Sequence, residues 1–221
     1  MRAEYYHVLN RGVDKRQIVI NDRDRLRFVT DLYVMNDRRQ VFNLDYHTSN
    51  SIDVRRQYED RKRLVTVHAW CLMGNHYHAL ISEHSKNGVA EFLKKLNMGY
   101  AKYFNLKHKR SGALFQGKTK RILIENDRQY LYILPYIHLN PLDFKKSAKE
   151  WRQQCLANPK AALQWITDYR WSSYRNYVGE TEFSEILEGS ELFADRKSHA
   201  REVEHFLKEM SDQALLKLNL E

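Results

Sequence analysis

The feature that most constrains this chain is the order in which its apolar residues change period. Residues 3–10 (AEYYHVLN) are dense in aromatic and β-branched side chains and read as a strand ending at Arg11-Gly12. Asn21 offers an N-cap for a helix to about Arg38, with Leu26, Val29, Leu32 and Tyr33 on one face. Residues 64–73 and 76–82 read as two strands joined by a tight Gly74-Asn75 turn. From 88 to 107, Val89, Phe92, Leu93, Leu96, Tyr100, Tyr103 and Phe104 follow the helical period of 3.6 residues. Residues 119–124 make a fourth strand, and Asn126 opens a third helix that must end near Pro141. The order β-α-β-β-α-β predicts an α+β chain: a ferredoxin-like split β-α-β antiparallel sheet with packed helices and a helical C-terminal extension.

That core spans residues 1–143. Residues 43–63 are polar without a steady period and read as a loop or insertion. Residues 144–180 read as a helical extension in which Trp151, Trp165 and Trp171 anchor onto the core. Residues 181–221 form an acidic tail whose Val203, Phe206, Leu207, Met210 and Ala214 line one helix face. The 221 residues are 43% hydrophobic, enough for a packed core. No apolar run approaches the roughly 18 residues of a membrane span, and no apolar leader is present, so the expectation is a cytoplasmic protein. Cys71 and Cys155 lie far apart, which argues against a disulfide framework or a cysteine zinc site.

Charge is unevenly placed. Residues 81–124 carry ten basic and two acidic groups, whereas residues 181–221 carry five and ten. A local basic excess is the footprint of a polyanion partner, and its plain alternative is a solvated helix face. The acidic tail has two readings, an internal polyanion mimic that masks the basic surface or a helix that completes the core.

Three segments carry chemistry. In His76-Tyr77-His78, strand alternation projects both imidazoles to one face, where they could hold one divalent cation. An HxH pair is also an ordinary half-exposed strand motif. Tyr136 and Asn140 lie one helical turn apart, so a hydroxyl and a hard carboxamide oxygen share a face. Their plain alternative is a core tyrosine and a helix-ending asparagine. Residues 106–121 (LKHKRSGALFQGKTKR) interleave basic groups with Phe115 and small residues, a composition suited to a phosphate backbone with one stacked base. The other histidines, His7 among them, form no ligand spacing. No GxGxxG, P-loop or GxSxG pattern occurs.

WCLMGNHYHALI (70–81), LNMGYAKYFNLKHKRSGALFQGKTKRILI (96–124), LPYIHLNPL (134–142) and WSSY (171–174), after Asn-Arg-Gly at 10–12, together resemble the single-tyrosine HUH transposases. The nearest branch is the REP-associated tyrosine transposases of the IS200-like group. The resemblance implies a metal-dependent transposase that cleaves single-stranded DNA next to hairpins, such as REP-like or transposon-end sequences, through a 5′-phosphotyrosine. It implies Tyr136 as nucleophile and His76, His78 and Asn140 as ligands of Mg2+ or Mn2+. Arg11, Lys118, Lys120 and Arg121 follow as DNA contacts, from motif position and charge. A bacterial, nucleoid-associated location follows too, with monomer and homodimer both open. Gly74 stands where the family has proline, and Pro135 is expected to kink the helix just before Tyr136. A domesticated repeat-sequence nickase and a non-catalytic nucleic-acid-binding module on the same fold are the rival readings.

Overall fold

A computed structural model describes residues 4–40, 60–148, 150–153 and 156–209. Most of the expected insertion at 43–63, together with Cys155, Met210 and Ala214, lies outside the described residues. The four strands are Tyr5–Arg11 (β1), Val65–Leu72 (β2), His76–Glu83 (β3) and Lys120–Leu123 (β4). All neighbours are antiparallel, in the order β2-β3-β1-β4. Helix α1 (Asp22–Val34) carries the chain from β1 to β2, and α2 (Gly88–Lys107) carries it from β3 to β4. Each crossover skips one strand position, which is the split β-α-β topology that the sequence order predicts.

Strand alternation builds two cores. Val8, Tyr77, Ala79 and Ile81 pack with Phe28 and Leu32 of α1 and with Val89, Phe92, Leu96 and Tyr100 of α2. On the opposite face, Ala69, Cys71, Met73 and Leu80 meet Ile133, Tyr136 and Ile137 of α3 (Asp127–Leu139). With both faces covered, every residue of β2 is buried. Beyond α3 come α4 (Pro159–Asp168), α5 (Tyr174–Tyr177), α6 (Glu191–Ala194) and α7 (His199–Glu209). Val203, Phe206 and Leu207 of α7 are buried in the second core, and Ile186 and Leu187 in the first. The described part of the tail thus contributes to both cores. No helix among the described residues is long and apolar enough to cross a membrane.

Three local expectations need correction or comment. Helix α1 stops at Val34 instead of running to about Arg38. Asn36 has another use there. Its Oδ1 accepts from Leu64 N at 2.9 Å and Val65 N at 3.0 Å, and its Nδ2 donates to Val65 O at 2.9 Å, so it pins the chain to the start of β2. Trp151 and Trp171 are buried as expected, but Trp165 is 37% exposed, donating its Nε1–H to Pro141 O at 3.1 Å with Lys145 Nζ 4.9 Å above its ring. Helix α3 is assigned from Asp127 through Pro135 to Leu139 without a break.

Asp24 holds the start of α1. It completes a capping box with Asn21, and its fully buried carboxylate receives Lys107 Nζ at 2.5 Å, Ile20 N at 2.9 Å and His108 Nε2 at 3.0 Å. Burial pushes its pKa up, but the Lys107, Ile20 and His108 hydrogen bonds outweigh burial and hold it below the usual carboxylate value. The unfolded chain therefore takes this proton more readily. The stabilisation is complete above about pH 5 and is lost as pH falls through about 4 toward the lowered folded value. Melting curves between those limits should show a steeper acid loss for the wild type than for Asp24→Asn.

Candidate active site

Strand β3 puts His76 and His78 on one face of the sheet, their rings 4.9 Å apart and near perpendicular at 80°. Both are buried. His76 Nδ1 lies 2.6 Å from Asn75 Oδ1, an oxygen that can only accept, so Nδ1 carries the proton and Nε2 is the nitrogen suited to a cation. His78 Nδ1 lies 3.0 Å from His7 Nε2, with the two rings stacked at 10° and 5.2 Å. Burial, reinforced by His7, His76 and the positive charges of Arg152 and Arg11, holds the His78 pKa well below the ordinary histidine value. A neutral imidazole is the form that can ligate.

Helix α3 presents Tyr136 to the same face. Asn126 starts the helix by accepting from Gln129 N at 2.9 Å, and Ile133 and Ile137 bury their side chains beneath it. The Tyr136 ring stands edge-on to His7 at 6.0 Å and to His78 at 6.2 Å. It is 3% exposed and packs against the buried Trp151 ring at 6.1 Å. One turn on, Asn140 Nδ2 donates to Tyr136 O at 2.8 Å, which leaves its Oδ1 facing Arg152 Nη2 at 3.2 Å. Arg152 also forms an ion pair with Asp143 and lies 4.2 Å above the Trp151 ring.

Arg11 is opposite His76 in the β1–β3 register, so its side chain emerges beside the histidine pair. Its Nε is buried without a hydrogen-bond partner, a donor available to an anionic ligand. Lys118, Lys120 and Arg121 are exposed at the β4 edge of the sheet. Lys120 is opposite Leu9 and shares the histidine face, whereas Arg121 is opposite Val8 and points to the α1–α2 side. These four basic groups are therefore not one continuous patch.

Sequence reasoning set His7 aside, and it did not single out Arg152. No spacing rule could find His7, because it joins His78 only through the pairing of β1 with β3. The WSSY segment has a structural task. Leu72 N donates to Trp171 O at 2.9 Å and Ser173 N to Trp70 O at 2.9 Å, covering the outer edge of β2. Ser173 Oγ accepts from Trp70 N at 2.9 Å and lies 2.7 Å from His138 Nε2, while His138 Nδ1 lies 2.7 Å from His199 Nε2. A buried chain thus ties the tyrosine helix α3 to both the sheet and α7. Ser173→Ala should lower unfolding free energy by about 1–3 kcal/mol, the cost of stranding buried polar partners. Denaturant titration measures it.

The donor set could hold a divalent cation. His76 and His78 share one face and the Asn140 carboxamide oxygen, in contact with Arg152, lies at the end of the facing helix, while among the described residues no group of three or more histidine, cysteine or carboxylate side chains could hold a metal. A cation here needs oxygen ligands to complete its shell. The histidine pair on an inner strand thus faces a helix-borne tyrosine across the split β-α-β sheet. The profile of the family described as Transposase IS200 like matches residues 27–138, half of the chain, and the chain belongs to that family. A solved structure described as a REP-associated tyrosine transposase bound to a REP hairpin is similar at 15% identity and TM-score 0.42, covering 86% of this chain and 87% of that one. No curated protein matches.

Proposed function

We propose that this IS200-like transposase is a metal-dependent DNA strand transferase that cuts single-stranded DNA beside a hairpin. The observation that carries this reading is the Tyr136 ring held at 6.2 Å from His78, with Asn140 one turn further along the same helix. The tyrosine hydroxyl attacks phosphorus, a Tyr136–phosphate bond forms at the 5′ side, and the 3′-oxygen leaves as a hydroxyl. An incoming 3′-hydroxyl reverses the step and frees the tyrosine, so the bond energy is conserved for joining.

A tyrosine with its usual pKa near 10 is only about one part in a thousand ionised at pH 7, so the site must assist the attack. His76 and His78 would hold Mg2+ or Mn2+ through Nε2, with the Asn140 carboxamide oxygen as third ligand. Bound there, the cation would polarise the scissile phosphate and offset the charge of the transition state. Arg11 reaches a phosphate beside the pair, and Lys118, Lys120 and Arg121 steer the strand along the β4 edge. Trp151 covers the tyrosine and Arg152 holds the Asn140 oxygen. For the tyrosine to reach DNA and the Asn140 oxygen to ligate, Trp151 and Arg152 must give up these contacts.

Incubating the protein with labelled hairpin DNA and Mg2+, then resolving it on a denaturing gel, tests the reading. A labelled band that migrates with the protein and is lost on protease treatment is expected. Binding with no adduct in either metal would support the non-catalytic module instead.

A further inference from the structure

We propose that His7 is a positioning residue that holds His78 in the tautomer able to ligate a divalent cation. The proposal rests on the reading of His76 and His78 as a cation site. His7 is fully buried on β1, opposite Leu80 of β3, and so shares a sheet face with His78. Its Nε2 is 3.0 Å from His78 Nδ1 and the rings are nearly parallel, a geometry in which one proton lies between two nitrogens.

Where that proton resides decides what His78 can do. If His78 Nδ1–H donates to His7, the second nitrogen of His78 carries a lone pair and can bind a cation. If His7 Nε2–H donates to His78, a neutral His78 carries its own proton on Nε2, and ligation there is blocked. The two facing nitrogens lie 3.0 Å apart between buried rings and share one proton, so these two tautomers are the ones in competition. With His7 as acceptor the ligating tautomer loses no hydrogen bond. Asn75 Oδ1 does the same for His76 at 2.6 Å, so each histidine has its Nδ1 engaged by a separate residue. Outer partners of this kind typically contribute 10–100-fold in metal affinity. His7 is not itself assigned as a ligand, because the Nε2 on the His78 side is used by His78.

Mn2+ binding to the full-length protein without DNA, followed by the electron paramagnetic resonance of free Mn2+, provides the test. His7→Leu removes the acceptor and should weaken Mn2+ affinity about 10–100-fold with the circular dichroism spectrum unchanged. His7→Gln returns an amide oxygen near the position of Nε2 and should bind within a few-fold of wild type. Equal affinity of His7→Leu and wild type overturns the proposal, as does equal weakening in the Leu and Gln variants. A wild type that binds no Mn2+ overturns the cation site itself and this proposal with it, so the two failures are distinguishable. Should His7→Leu not fold, nitrogen-15 spectra of the wild type with a diamagnetic divalent cation decide. His78 should then show a protonated Nδ1, and an unprotonated Nδ1 overturns the proposal.

Discussion

Tyr136→Phe is expected to abolish the covalent protein–DNA adduct while hairpin binding and the folded state persist. The change removes one oxygen and leaves the ring, so the packing against Trp151 and the edge-on contacts with His7 and His78 remain available. Removing a covalent nucleophile from an otherwise intact site costs on the order of 10^4–10^6 in rate. The neighbouring tyrosines are not placed to replace it. Tyr130 packs edge-on to Tyr5 at 5.2 Å, and Tyr132 packs on Phe206 of the tail helix at 5.6 Å. Adduct formation on a denaturing gel and hairpin affinity by a filter or anisotropy assay make the comparison. A Tyr136→Phe protein that still captures labelled DNA would put the nucleophile elsewhere.

His76→Ala, or wild type in excess chelator, should lose cleavage with DNA binding largely kept. A bound cation is worth several kcal/mol of transition-state charge stabilisation, or about 10^2–10^4 in rate. His76 is the better residue to truncate. It sits at the first position of β3 and engages Asn75, whereas His78 is deeper and its loss would also remove the buried contact with His7. Activity of the chelated wild type should return on adding Mn2+, and that of His76→Ala should return only partly. Unchanged cleavage in excess chelator would remove metal dependence from the reading.

The candidate site was legible in part. Strand alternation alone put His76 and His78 on one face, and helical spacing alone put Tyr136 and Asn140 on another, because both patterns are local. That these two faces meet is a tertiary fact. It depends on α3 packing over the side of the sheet left open by α1 and α2, through Ile133, Ile137, Leu80 and Cys71. The burial of Tyr136 was legible only as the plain alternative of a core tyrosine, and the contact of Asn140 Oδ1 with Arg152 was not legible. Arg152 comes from a segment with no period of its own, brought in by Trp151 and Asp143.

The sequence by itself determined the elements and their order. The bounds of α2, the Asn21 and Asn126 caps and the turn between β2 and β3 follow from residues within a few positions of one another, where sterics and local hydrogen bonds dominate. The tertiary structure alone decided where α1 yields to the demand of β2 for Asn36, which way Lys120 and Arg121 face, and that His7 joins the site. The reason is range. A capping bond closes within one turn, but the contact between His7 and His78 spans 71 residues and exists only because the apolar alternation of β1 and β3 permits one register.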